Sequence, residues 1–209
     1  MAFFRKLFIA VLVIGSMSTH LTAATSQFEA GKDYQVVAPA TTTEPLVEEF
    51  FNYACGACYG TESFVEKLKA DNPGLTVKPV PVELRPAWKI YVKAYYLGEK
   101  LGVLDKSHAK IYHRIHVQKK YFKDESDLKA FFLSLGVAEK AYDDVANSYW
   151  INTQMRLSKQ YAFKNQVTGT PTFLVNKRFK LNRAAIGTLE RMEAAIQELS
   201  GLKTEVPAN

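Results

Sequence analysis

The sequence predicts an α/β domain interrupted by an all-helical segment. Three observations carry that prediction. Apolar runs of strand length occur toward both ends of the chain, at Leu46–Phe51 and Thr172–Val175. Between residues 86 and 160 helical spacing repeats and no convincing strand is found. The two cysteines, Cys55 and Cys58, stand three apart, between the first apolar run and a segment that reads as a helix.

Residues 1–24 stand apart from the domain. Arg5 and Lys6 form a basic start, residues 7–15 are apolar, and Thr22-Ala23-Ala24 supplies small residues for cleavage. This is the pattern of a secretory signal peptide, too short to span a bilayer stably. No paired arginines mark the twin-arginine route. Export places the cysteines in an oxidising compartment, where a disulfide persists. No later stretch reaches transmembrane length, so the mature chain of about 185 residues is expected to be soluble and long enough for a sizeable core. Net charge is +6, from 27 basic and 21 acidic residues; loss of Arg5 and Lys6 leaves +4. So mild an excess asks for no nucleic-acid partner, and export argues against one.

The elements follow in order. Residues 34–37 read as a short strand, and Leu46–Phe51 as a buried strand with Pro45 at its start. The helix after the cysteines carries Phe64, Val65 and Leu68 on one face, and Asn72-Pro73-Gly74 ends it with turn chemistry. Residues 75–82 alternate like a strand. Pro79 and Pro81 cannot donate to a ladder, so this strand should end or reach a sheet edge near Pro79. Strand, helix and strand make a βαβ unit.

The period then changes. Trp88, Tyr91, Val92, Tyr95 and Tyr96 fall at offsets 0, 3, 4, 7 and 8, the spacing of an amphipathic helix. Leu128, Phe131, Phe132 and Leu135 repeat it, with Gly136 as the stop. Residues 138–165 are helical, as one helix or two. Strand signals return at Thr172–Val175 and Phe179–Leu181, joined by a turn near Asn176-Lys177, which makes a hairpin. A last helix carries Leu189, Met192, Ile196 and Leu199. The chain thus divides into a first part of the α/β domain (25–85), a helical insertion (86–160) and a second part (161–209).

A strand that hands a Cys-x-x-Cys pair to a helix start is the layout of a thiol–disulfide redox site. Unpaired N–H groups and the positive end of the helix dipole favour a thiolate on the first cysteine. The second lies one turn on, within disulfide reach. Two other readings compete. A zinc site needs about four ligands, and only His108, His113 and His116 follow the leader, far along the chain. A purely structural disulfide closing so short a loop would stabilise weakly. No metal and no cofactor are expected. The basic run His108, Lys110, His113, Arg114, His116, Lys119 and Lys120 reads as a solvated helix face. Trp88, Tyr91 and Tyr95 read as helix core, with Trp88 placed to edge the redox groove if the insertion caps it.

Several stretches together resemble one family. Glu49-Phe50-Phe51-Asn52-Tyr53-Ala54-Cys55-Gly56-Ala57-Cys58-Tyr59 resembles the active-site region of the DsbA family of bacterial periplasmic oxidases. So do Pro86-Ala87-Trp88 at the start of the insertion and Val167-Thr168-Gly169-Thr170-Pro171 before Phe173-Leu174-Val175-Asn176. The likeness covers nearly all of the mature chain, in order. It implies a thioredoxin fold with an inserted all-helical domain, working as a monomer in the periplasm. It implies donation of the Cys55–Cys58 disulfide to reduced, newly exported polypeptides, and reoxidation by a membrane quinone-linked oxidase of the DsbB type. A low thiol pKa and strong oxidising power are established properties of that family and come only with the resemblance.

Roles follow residue by residue. Cys55 is the reacting sulfur, expected to be exposed at the helix start, and Cys58 is its buried partner. The resemblance implies a cis bond between Thr170 and Pro171 packed against the disulfide, with the Thr170 backbone turned toward an extended substrate. It matches Glu49 and Lys78 to the family's buried acid and its nearby lysine; by pattern alone, Glu48 or Glu49 equally faces solvent on alternate pleats. A buried carboxyl there would have a raised pKa and relay the proton of Cys58. The chain departs from the family in two places. Gly56-Ala57 replaces the common Pro-His, which predicts a less depressed thiol and a milder oxidant. Thr170 stands where valine is usual in the oxidases and threonine in related isomerases, which shades the chemistry toward isomerase or reductase. From another class, an exported chaperone with a structural disulfide would keep its activity in Cys55→Ser; an oxidase would lose it.

Overall fold

The computed structural model describes residues 26–39 and 42–201; the signal-peptide reading lies outside the described residues. Five strands form one mixed sheet: β1 (Tyr34–Val36), β2 (Leu46–Phe51), β3 (Thr76–Pro81), β4 (Thr172–Val175) and β5 (Phe179–Leu181). The order is β1-β5-β4-β2-β3, with β2 and β3 parallel and every other pair antiparallel. Helix α1 (Gly56–Asp71) makes the crossover from β2 to β3. After a 3₁₀ turn at Pro86–Trp88 come α2 (Lys89–Lys100), α3 (Leu104–Tyr112), α4 (Glu125–Ser134), α5 (Glu139–Ala146) and α6 (Tyr149–Lys164). Then β4 and β5 follow, a short α7 (Arg183–Ile186), and α8 (Leu189–Ser200).

β3 is an edge strand, and it runs through both prolines rather than ending near Pro79. The register explains this. Thr76 N–H bonds the Pro45 carbonyl at 3.0 Å and Val82 N–H bonds the Phe51 carbonyl at 2.8 Å, so even-numbered residues donate toward β2. Pro79 and Pro81, being odd, place their missing donors on the open edge, where no ladder bond is lost. The hairpin turn has positive φ at both Asn176 (49°) and Lys177 (55°), the type I′ signature. Asn176 also joins three elements: its Oδ1 accepts from Leu46 N–H at 2.9 Å, and its Nδ2 donates to the Leu199 and Ser200 carbonyls at 3.4 and 3.2 Å.

Residues 138–165 are two helices. The break falls where Ser148 caps α6 by accepting from Ile151 N–H. Gly136, at φ 91°, ends the α4 segment as expected. Helix α3 does not stop at Tyr112 but runs into a π turn at His113–Val117.

The core lies in three clusters. Val47, Phe173 and Val175 on one sheet face pack against Phe64 and Leu68 of α1 and Met192 and Ile196 of α8. Phe50, Val80 and Leu174 on the other face pack against Ala162 of α6. Helices on both faces explain why Glu48 and Glu49, adjacent on β2, are both buried, at 1 % and 5 % exposed; neither faces solvent. The third cluster is the aromatic interior of the helical layer, and it extends through Phe51 and Tyr53 to both cysteines.

Candidate active site

β2 ends at Phe51, and Asn52 shapes the loop that follows. Its Nδ2 donates to the Val82 carbonyl at 2.9 Å, its Oδ1 accepts from Ala54 N–H at 3.0 Å, and its carbonyl accepts from Cys55 N–H at 2.9 Å. Cys55 is thereby set as the N-cap of α1. Its sulfur accepts from Cys58 N–H at 3.3 Å, where another helix would place a serine or aspartate oxygen. No acidic side chain in the first turn offsets the positive end of this 16-residue helix. Both thiols are free in this structure.

These donors act on Cys55. Hydrogen bonding from the Cys58 thiol lowers its pKa most, burial opposes, and Thr170 with the Cys58 and Ala57 N–H groups completes the fall from 9.0 to about 5. The Thr170 hydroxyl is buried with no partner at ordinary hydrogen-bond distance, so its effect on Cys55 is a longer, weaker contact. Cys58 is fully buried, and burial pushes its thiol well up. The pair is split into a ready thiolate and a reluctant one. Cys55 is less open than the sequence suggested, at 8 % exposed, yet it lines a groove with Gly56, Leu84, Arg85, Trp88 and Thr170. Arg85 lies over the Trp88 ring at 4.9 Å. The Thr170–Pro171 bond is cis, and the Thr170 carbonyl lies 3.4 Å from Cys55 Sγ.

Glu49 is on the cysteine side of the sheet. Burial, then the charge of Glu62, raises its pKa to about 8, with Lys69 pulling the other way. Lys78 is not beside it. In the β2–β3 register Lys78 pairs with Glu48, while Pro79 pairs with Glu49, so Lys78 sits exposed on the opposite face. One residue of offset sends a strand side chain to the other face; the lysine that acts on Glu49 is Lys69, from α1. Glu48 is held on the far face by the Tyr161 hydroxyl at 2.5 Å.

The basic run is not a solvated face throughout. His113, Lys110, Lys119 and Lys120 are exposed, but His108 and His116 turn inward. His108 meets Tyr53 Oη through Nδ1 at 2.8 Å and Glu62 Oε1 through Nε2 at 3.1 Å. His116 Nε2 donates to the Tyr53 carbonyl at 2.8 Å, and its ring stacks on Tyr59 at 4.8 Å and 8°. The sequence carried the signal: His108, Ile111, Tyr112, Ile115 and His116 have the same 0, 3, 4, 7, 8 spacing as Trp88 to Tyr96. Lys110 and Arg114, which lie between these residues, mask that period. Asn52, Glu62, His108 and His116 are the site residues that sequence reasoning missed.

A helix-capping thiol of lowered pKa, a buried partner one turn on and a cis-proline loop against them, all in a mixed sheet with helices on both faces, define a thiol–disulfide oxidoreductase of thioredoxin fold. The family model for the DSBA-like thioredoxin domain matches residues 87–197, and the chain belongs to that family. The thiol:disulfide interchange protein DsbA of Burkholderia cepacia is 29 % identical over 216 residues, covering 95 % of this chain and 99 % of the relative. That of Pseudomonas aeruginosa is 26 % identical over 191 residues, covering 88 % and 89 %. Among solved structures, Pseudomonas aeruginosa DsbA superposes with a TM-score of 0.75 at 24 % identity, over 83 % of this chain and 93 % of that one. Xylella fastidiosa DsbA gives 0.72 at 23 %, over 83 % and 96 %. The two structures bear on fold.

Proposed function

We propose that the chain works in the periplasm as a monomeric dithiol oxidase, donating its Cys55–Cys58 disulfide to newly exported polypeptides. The observation that carries this reading is the asymmetry of the pair, with Cys55 lowered to about 5 and Cys58 raised. A substrate thiolate attacks Cys55 Sγ. The Cys55–Cys58 bond breaks, Cys58 leaves with the electron pair and takes a proton, and substrate is joined to Cys55. The second substrate thiolate then attacks the substrate sulfur, and Cys55 leaves as a thiolate. Substrate loses two electrons and two protons. The pair gains two electrons and keeps one proton, on Cys58.

The other residues support these steps. The Thr170 backbone offers an extended substrate a strand-like partner, and Pro171 holds that loop against the sulfurs. Trp88 and Arg85 give the groove an apolar and a cationic wall. Glu49, neutral at pH 7, supplies the proton that Cys58 takes. Lys78 has no part in that exchange, because its face is the wrong one. A membrane quinone-linked oxidase of the DsbB type restores the disulfide. With alanine where the family carries histidine, the oxidant is a mild one. Thr170 favours a second reading, disulfide isomerisation, since its hydroxyl serves the Cys55 thiolate that would attack scrambled disulfides.

The test is capture. Cys58→Ser should accumulate mixed disulfides between Cys55 and exported proteins, and Cys55→Ser should form none. Adducts absent from Cys58→Ser, or formed equally by Cys55→Ser, would overturn the assignment of roles. Recovery of activity from scrambled but not reduced substrates would select isomerisation.

A further inference from the structure

Cys58 is fully buried, so the proton it takes on leaving Cys55 cannot arrive straight from bulk water. Glu49 is the internal source in the reading above, and the present inference rests on it; Glu49 must itself be refilled. Its Oε1 is buried with no hydrogen-bond partner. It lines a cavity of about 530 Å³ together with Glu62 and Lys69 of α1, Pro79 of β3 and His108 of α3. A cavity of that size, with carboxylates, Lys69 and His108 among its apolar walls, has room for several waters. The outer wall reaches solvent, since the side chains of Glu62 and His108 are 25 % and 23 % exposed.

His108 is tied at both ring nitrogens. Burial holds the Tyr53 phenol far above its ordinary pKa, so Tyr53 stays protonated and donates to Nδ1. With Tyr53 as the donor to Nδ1, the ring hydrogen sits on Nε2 and is aimed at Glu62 Oε1. Glu62 in turn acts on Glu49 through its charge. The other groups around the cavity do not complete such a line. Glu66 and Asp105 sit on its wall, Lys69 opposes them, and Tyr95 is kept neutral by burial. Tyr112 is likewise neutral, and Arg183 acts on Glu49 from α7.

We propose that His108 is the solvent-side station of a proton path that runs through Glu62 and the cavity to Glu49, and from Glu49 to Cys58. During reduction of the disulfide, Glu49 gives one proton to the departing Cys58 sulfur. Solvent first adds a proton to the His108 ring, the Tyr53 hydroxyl turning to accept from Nδ1–H. The ring then gives its Nε2 proton through Glu62 and cavity water to Glu49, is left with one hydrogen, and resets its tautomer by exchange with solvent. Reoxidation runs the same path outward. His108 touches neither substrate nor sulfur, so it is a positioning and relay residue rather than a catalytic one. A relay changes rates and leaves the equilibrium between dithiol and disulfide where it was.

That separation gives the experiment. His108→Phe keeps a ring against Phe51, Tyr53 and Tyr112 while removing both nitrogens. Single-turnover reduction of the oxidised protein by dithiothreitol is followed by stopped flow, beside the equilibrium with glutathione. His108→Phe should slow reduction about tenfold at pH 7. It should shift the equilibrium by less than about twofold. Glu49→Gln should slow reduction at least as much. If Glu49→Gln is slow and His108→Phe is not, the path through His108 is wrong while Glu49 stands. If both keep the wild-type rate, the Glu49 reading fails and takes the path with it. A slow His108→Phe with a displaced equilibrium means a structural role and overturns the proposal. Should His108→Phe not fold, Glu62→Gln interrupts the same path; it should be slow, and a wild-type rate would overturn the relay.

Discussion

Glu49 is a carboxyl that the fold keeps neutral. Its pKa is about 8 in the folded chain, against about 4.3 for an exposed glutamate. Between those values the unfolded chain is ionised and the folded chain is protonated. Folding therefore binds a proton, and stability is full at low pH and declines as pH rises from about 4 to about 8. Glu49→Gln keeps the shape and removes the titration. In urea unfolding of the reduced protein it should gain roughly 2–4 kcal/mol over wild type at pH 8, with the gain shrinking toward zero near pH 4. An equal gain at both pH values would mean that desolvation is not what raises Glu49. At this scale the sequence named Cys55, Cys58, Thr170, Pro171 and Glu49, all of which the fold brings to one place. It misplaced Lys78, because a lysine one residue from the register position cannot be told from one on it without the β2–β3 pairing. It also missed His108 and His116, whose helical period was overshadowed by the lysines around them.

At the scale of elements, the start of α1 decides how strong the thiolate is. Gly56 occupies the first helical position, and a Cβ there would meet nothing within 4 Å. Proline is well suited to that position, and Ala57 is exposed, so a histidine side chain has room. The double substitution Gly56→Pro with Ala57→His adds a cation beside Cys55. Its ultraviolet thiolate titration should fall below that of wild type, and its equilibrium with glutathione should move about tenfold or more toward oxidation of the substrate. No change would mean that the helix terminus and Thr170 already saturate the thiolate. Asn176 makes a different point about elements. Its amide joins β2, the hairpin and the end of α8 from a buried position. Asn176→Ala leaves those groups unpaired and replaces a residue tolerant of positive φ; it should cost about 2–4 kcal/mol in denaturant unfolding. The sequence showed the turn through Asn176-Lys177 but not the side-chain bonds, because the partners at Leu46 and Leu199 are distant in the chain. Element boundaries were legible where a cap or period marks them, as at Gly136. The π turn after α3 and the short α7 carry no such mark.

For the molecule as a whole, the sheet and its two covering helices supply the cysteines, and the helical layer between β3 and β4 supplies what surrounds them. Trp88 and Arg85 wall the groove, His116 braces the loop before Cys55, and His108 reaches toward the cavity behind it. The aromatic core of that layer is continuous with Phe51 and Tyr53, so the two parts pack as one body around the redox pair. The division into sheet and helical layers was readable from the change of period alone. How the layers meet was not, since that depends on which aromatic rings interlock across the junction. If this arrangement makes Cys55–Cys58 a disulfide donor, the most direct measurement is the equilibrium of the protein with reduced and oxidised glutathione. The pair should be more oxidising than glutathione, though milder than a family member with Pro-His between its cysteines. A pair far more reducing than glutathione would contradict it and leave a reductase or a structural staple in its place.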